Sequence, residues 1–145
     1  MRKLVTLLAA GAICALSLTA PSLSAPRIAA WTAALSSGQE VPKQVVKDTA
    51  AHGSFTGTLR GSKLKWKLTF AKLTGRAMQA HIHKGAKGKA GPIVVTLCVP
   101  CKNGQTGTAR ISAALLRAFN KHLLYVNIHT AKNPNGEIRG QLTRG

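Results

Sequence analysis

The segment KLKWKLTF, residues 63–70, alternates between polar and apolar side chains at every step. In an extended chain, successive side chains point to opposite faces, so residues of one kind share a face. This period of two predicts a β-strand with one buried face and one face in water. The apolar face would carry Leu64, Trp66, Leu68 and Phe70.

The same period recurs along most of the chain. Residues 78–83 (MQAHIH) and 123–130 (LLYVNIHT) again alternate, with the polar side chains expected to face water. Ser112 is a suitable N-cap for one short helix near residues 112–119. Together these features predict an all-β fold, an antiparallel Greek-key β-sandwich of seven or eight strands. The remaining strands are predicted at residues 31–35, 54–59, 93–97, 106–111 and 137–142.

The N-terminal segment has the composition of a cleavable signal peptide. Arg2 and Lys3 precede an apolar run over residues 4–18, and TAPSLSA follows at residues 19–25. The apolar run is shorter than the roughly 20 residues that span a membrane. We therefore expect residues 1–25 to be removed and residues 26–145 to form one exported domain, secreted or periplasmic, without a transmembrane span. An uncleaved N-terminal anchor is the alternative.

The charge balance is strongly basic, with 21 Lys and Arg, three Asp and Glu, and a formal net charge of +18. Such a charge favours polyanionic partners. For an exported protein these would be an anionic envelope polymer, a polysaccharide or an unidentified protein, and no nucleic acid is expected. The basic residues are also spread along the chain, which is typical of a generally solvated surface.

Cys98 and Cys101 form the motif Cys-Val-Pro-Cys. A disulfide between them is expected in an oxidising compartment. A thioredoxin-like motif would open a helix, whereas turn-forming residues follow here. Haem attachment would require His in place of Lys102.

Three histidines are the strongest candidates for chemistry. His81 and His83 share one face of a predicted strand, and His129 lies on the polar face of another. If these strands are neighbours, three imidazole nitrogens converge in a donor set that suits copper or zinc. The alternatives are solvated histidines and a structural network of hydrogen bonds. Residues expected to orient the histidines or to belong to that network are Tyr125, Asn127, Glu137 and Arg139, with Glu40 as a partner for Arg139.

A glycine- and lysine-rich loop follows His83. Lys84, Lys87 and Lys89 would make it an anion-binding loop beside the imidazoles. It lacks the glycine and lysine spacing of a P-loop, and a flexible basic loop is the alternative.

Several motifs of this chain resemble those of the CHRD domain, which is named for chordin and is found in exported bacterial proteins. They appear in order between residues 33 and 142. The resemblance implies a β-sandwich that serves as a non-enzymatic binding module. The motifs are SGQEVP at 37–42, AHIHKG at 80–85, GP at 91–92, YVNIHT at 125–130 and PNGEIRGQL at 134–142.

The CHRD family is also similar to the copper-zinc superoxide dismutase sandwich, which has a His-x-His pair on one strand. Only His81, His83 and His129 carry over. The dismutase uses six histidines and an aspartate for two metals, whereas this chain has five histidines and one aspartate, Asp48. We therefore expect no dismutase activity. No Gly-x-Ser-x-Gly motif or pair of acidic residues suggests another enzyme.

Overall fold

The computed structural model describes residues 28–43 and 50–145. The predicted signal peptide, residues 1–25, lies outside these ranges, as does Asp48. Within them, no helix has the length and apolar character needed to cross a membrane.

The described chain contains nine strands and one short α-helix. Helix α1 covers Ala113–Asn120, and a single 3-10 turn covers Ser37–Gln39. The strands are β1 Ile28–Ser36, β2 His52–Arg60, β3 Lys63–Ala71, β4 Ala77–Lys84, β5 Ile93–Cys98, β6 Gln105–Arg110, β7 Leu124–Thr130, β8 Ile138–Gln141 and β9 Thr143–Arg144.

The hydrogen-bonded order of the strands is β5-β4-β7-β8-β1-β2-β3-β6, and β9 pairs with β1. All of these pairs are antiparallel. The predicted all-β antiparallel fold with one short helix is therefore confirmed. The strands form one nearly closed sheet, in which β8 and β1 are joined only through Ser36 and Arg139.

This narrow joint divides the eight strands of that order into two halves of four, and β9 lies beside β1. We call β1, β2, β3 and β6 the alternating half, and β4, β5, β7 and β8 the histidine half. In β2 and β3, inward side chains such as Phe55, Leu64 and Trp66 are buried, and their neighbours in sequence are exposed. The predicted pattern of residues 63–70 is thus confirmed through Leu68.

Trp66 lies between two glycines on the inner face, because Gly57 and Gly107 are its partners on β2 and β6. A Cβ atom at Gly107 would lie 2.4 Å from Cζ2 of Trp66. The glycine on β6 therefore leaves the space that the indole ring occupies.

Helix α1 lies where the sequence predicts a short helix, near residues 112–119. Ser112 caps it by accepting a hydrogen bond from the backbone N–H of Leu115, at 3.2 Å. Phe119 is buried, and its ring centroid lies 5.0 Å from that of Trp31. The predicted disulfide between Cys98 and Cys101 is also present, at the end of β5.

The histidine half does not follow the predicted pattern of one wet face. All seven residues of β7 are buried, so the expectation that its polar side chains face water is wrong. In β4, His81 and His83 are buried, whereas Met78 is 42% exposed. The physical reason is that loops cover the polar face and bond to it, as Gly91 does to Tyr125. These strands therefore separate an apolar core from a second, polar interior.

Candidate metal centre

Neighbouring strands bring the three histidines together. His81 and His83 lie on β4 and His129 lies on β7, and these strands pair so that Gln79 is opposite His129 and His81 is opposite Asn127. The ring centroids of the three histidines are 5.1–5.9 Å apart. Each ring offers one nitrogen to a cluster whose members lie within 4.8 Å of one another. The two strands are neighbours, and the three imidazoles converge as the metal hypothesis requires.

Backbone carbonyls orient two of the imidazoles. Nδ1–H of His83 donates to the carbonyl oxygen of Gly91 at 2.9 Å, and Nδ1–H of His129 donates to that of Pro134 at 3.0 Å. A carbonyl oxygen can only accept, so each bond fixes the proton on Nδ1 and leaves the lone pair on Nε2. This is the arrangement by which proteins commonly prepare histidine as a metal ligand.

One further ring nitrogen of each histidine is buried without a partner. Among the residues that the structure describes, Nδ1 of His81, Nε2 of His83 and Nε2 of His129 make no hydrogen bond. Buried polar side-chain atoms in native proteins nearly always have a partner. Three such atoms on three adjacent rings are therefore a specific feature of this interior.

Burial also keeps the imidazoles neutral. It lowers the pKa of His81 to about 4, and the neighbouring His129 and His83 lower it further by charge repulsion. Burial lowers the pKa of His83 and of His129 as well, although the hydrogen bonds to Gly91 and Pro134 oppose the shift. At neutral pH all three rings therefore have a lone pair available for a cation.

A stack of three planar groups begins at His83. The ring of Tyr125 lies parallel to His83, with centroids 4.8 Å apart and an interplanar angle of 8°. On Tyr125 lies the guanidinium of Arg139, whose Cζ is 3.4 Å from the ring centroid. Arg139 donates to the carbonyl oxygens of Lys89 at 2.7 Å and Ala86 at 3.4 Å. Tyr125 and Arg139 thus hold one side of the His83 ring.

The glycine- and lysine-rich loop covers the cluster through its backbone. The side chains of Lys84, Lys87 and Lys89 are exposed, whereas the loop carbonyls bind Arg139 and His83. A Cβ atom at Gly91 would lie 1.7 Å from the carbonyl oxygen of Lys84. Close packing of the backbone over the imidazoles therefore requires glycine at this position.

Glu40 and Asn127 form a separate buried contact. Asn127 Nδ2 donates to Glu40 Oε2 at 3.3 Å. Burial raises the pKa of Glu40 to about 7, and the charge of Arg139 and the Asn127 hydrogen bond oppose that rise. The expected ion pair between Arg139 and Glu40 does not form, because the hydrogen bonds of Arg139 go to loop carbonyls. Glu40 acts on Arg139 only through a longer-range attraction.

Glu137 ties loops together beside the histidines. Its carboxylate accepts from Thr74 N and Thr130 Oγ1 at 2.5 Å, and from Thr74 Oγ1 and Asn133 Nδ2 at 2.9 Å. Burial acts to raise the pKa of Glu137, but these hydrogen bonds outweigh it and hold the pKa below its usual value. Glu137 was expected to orient a histidine. In the structure it instead connects Thr130 of β7 to Thr74 and Asn133.

The cluster has the dimensions of a mononuclear site. Three atoms no more than 4.8 Å apart all lie within about 2.8 Å of one point. Bonds from zinc to imidazole nitrogen are about 2.0–2.1 Å long, so small inward movements of the rings complete the coordination. Three protein donors leave a fourth position for a small ligand or water.

Comparison with known protein families identifies the family of this chain. The family model of the CHRD domain matches residues 31–142. No curated protein and no solved structure matches the chain. The match spans most of the sequence, so the chain belongs to the CHRD domain family, and membership supports a non-catalytic module in general.

Proposed function

We propose that this CHRD-domain protein is an exported, non-enzymatic module that binds one copper or zinc ion. The ligands are Nδ1 of His81, Nε2 of His83 and Nε2 of His129. Its support is the convergence of the three histidines, each with one nitrogen within 4.8 Å of the others, together with one buried nitrogen on each ring that has no partner among the described residues. A purely structural network would pair these atoms, since an unpaired buried polar group costs free energy.

The type of donor atom limits which metals the site would bind. The cluster consists of histidines alone, and imidazole suits copper and zinc, whereas calcium and magnesium require oxygen ligands. Neither carboxylate of the described chain joins it, because Glu40 binds Asn127 and Glu137 binds the threonines and Asn133. When bound, the ion would supply Lewis acidity and, if copper, a redox centre.

Elemental analysis tests the proposal directly. The mature protein is prepared without a histidine tag, loaded with copper or zinc and desalted. We expect about one equivalent of metal, lost in a His83→Ala/His129→Ala variant. The matched control is His52→Gln/His122→Asn, which changes the two remaining histidines, both exposed. Absence of metal from the loaded wild-type protein, or equal loss in the control, would contradict the proposal.

A second measurement separates the metal site from a misfolded variant. The unfolding temperature of each protein is measured with and without the loaded metal. A ligand that binds only the folded state raises this temperature. We expect the rise in the wild-type and control proteins, and none in the His83→Ala/His129→Ala variant whose metal-free form still unfolds cooperatively.

A further inference from the structure

The outward side of the alternating half collects positive charge in rows across the sheet. Strand pairing places Arg60 opposite Lys63, and Lys63 opposite Arg110. Two parallel rows follow along β3, each with a lysine between two threonines. We call these nine exposed residues the cation–threonine face: Arg60, Lys63 and Arg110; Thr58, Lys65 and Thr108; Thr56, Lys67 and Thr106.

The first row is energetically unfavourable for the protein alone. Like charges directly opposite one another on neighbouring strands destabilise a sheet. No exposed carboxylate in the described ranges offsets them, because Glu40 and Glu137 are 3% and 0% exposed. Along β3, Lys63, Lys65 and Lys67 recur every two residues, or about 6.6–6.8 Å. The register therefore concentrates charges that look dispersed in the sequence.

A shallow groove with a volume of about 620 Å³ crosses this face. Its outward side chains include four threonines, Thr56, Thr58, Thr106 and Thr108, with Lys65 and Lys67 between them. Their hydroxyls make no hydrogen bond to any residue that the structure describes, and each can both donate and accept. The groove therefore offers hydroxyl groups beside a row of cations.

The geometry points to a linear acidic polysaccharide as the ligand of the cation–threonine face. Its carboxylates match the lysines and arginines, and its ring hydroxyls match the threonines. Single-stranded nucleic acid is normally held by aromatic side chains that stack on bases. On this half of the sheet Trp31, Phe55 and Trp66 are at most 6% exposed. The two tryptophans border the groove but present no open ring face on which a base could stack, and Phe70 is partly buried outside the groove. The face lies on the half of the sheet without the histidine cluster, so this inference is independent of the proposed metal.

Binding of defined oligosaccharides tests the inference. The probes are a fluorescent oligomer of alginate, a neutral dextran of equal length, and single-stranded DNA with an equal number of charges. We expect the full mature chain to bind alginate and not dextran, with affinity that falls as salt screens the charges. Tighter binding of the DNA would overturn the inference in favour of a nucleic acid ligand. Absence of alginate binding at about 0.05 M salt, where screening is weak, would overturn it outright.

A matched pair of variants separates this face from net charge. Lys63→Gln/Lys65→Gln/Lys67→Gln removes three charges from the face, and Lys84→Gln/Lys87→Gln/Lys89→Gln removes three from the loop over the histidines. All six side chains are exposed, so both variants are expected to fold. We expect a loss of alginate affinity of about tenfold or more in the first variant and about threefold or less in the second. Equal losses would show that net charge alone binds the polymer, and would contradict the inference.

Discussion

Strands β3 and β7 carry the same alternation of apolar and polar side chains, yet only β3 has a face in water. The polar side chains of β3 are three exposed lysines and the partly exposed Thr69. Those of β7, Asn127 and His129, are buried beneath loops and must find partners there. Of six buried polar side-chain atoms without a partner in the described chain, five belong to Glu40, Asn127 and the three histidines. Unpaired polar atoms are thus concentrated where the second interior forms.

The difference shows that the same alternation of side chains can form a structural scaffold in one half of the sheet and a candidate site in the other. In the alternating half, alternation separates the core from solvent. In the histidine half, it separates an apolar core from a polar interior, whose free nitrogens are available to a metal. The predictions below test this contrast through stability and metal affinity.

The largest expected effect is on the free energy of unfolding, and it should differ sharply between two adjacent residues of β2. Phe55 is fully buried and its neighbour Thr56 is exposed. Phe55→Ala should lower the free energy of unfolding by about 3–5 kcal/mol, because it leaves a cavity. Thr56→Ala should change it by less than about 0.5 kcal/mol. Urea unfolding measures both, and similar values for the two would refute the assignment of inner and outer faces.

In the histidine half, the buried carboxylate of Glu137 should contribute nearly as much to stability as Phe55 does in the other half. Glu137→Gln should destabilise the protein by about 2–3 kcal/mol, because the amide retains one acceptor oxygen and places a donor against the donors of Thr74, Thr130 and Asn133. Lys65→Gln, an exposed control in the other half, should cost less than about 0.5 kcal/mol. A negligible change in the Glu137 variant would remove the structural role given to this carboxylate.

The pH dependence of metal binding should reflect the burial of the imidazoles. Three ordinary histidines of pKa about 6.5 would lose roughly 1,000-fold in affinity between pH 7.5 and 5.5, because protons compete for the ligands. Here the pKa values are lowered, that of His81 to about 4. We expect a loss smaller than this roughly 1,000-fold over the same range, because His81 does not take up a proton until the pH falls toward 4 and the pKa values of His83 and His129 are lowered as well. Isothermal titration calorimetry at each pH provides the comparison, and a 1,000-fold loss would indicate exposed ligands.

The smallest expected effect on stability is that of His81→Leu, and it distinguishes a metal site from a structural network. In the metal-free protein, His81→Leu replaces a buried nitrogen that has no partner. The free energy of unfolding should stay within about 1 kcal/mol of the wild-type value, while metal binding is lost. If the histidines were a network that stabilises the fold, the same substitution would cost about 2 kcal/mol or more.

Much of the fold could be predicted from local pattern. The strand predicted at residues 63–70 is Lys63–Ala71 in the structure, and the helix predicted near 112–119 is Ala113–Asn120. Period two and capping chemistry act within a few residues and are therefore visible in a sequence. The pairing of His81 and His83 with His129 was a conditional prediction, because it required β4 and β7 to be neighbours.

The burial of the site could not be read from the same pattern. Whether Asn127 faces water depends on where distant loops lie, and alternation contains no information about them. The carbonyls of Gly91 and Pro134, which orient two imidazoles, were missed because every residue has a carbonyl group. The glycine at 91 was the available signal, since its close approach to Lys84 excludes a side chain.

Anomalous X-ray diffraction from crystals of the copper- or zinc-loaded mature protein, recorded above and below the absorption edge of the metal, tests the central claim most directly. We expect one strong anomalous peak about 2.0–2.1 Å from Nδ1 of His81 and Nε2 of His83 and His129. A peak elsewhere on the molecule, or three imidazoles with no peak between them, would contradict the account.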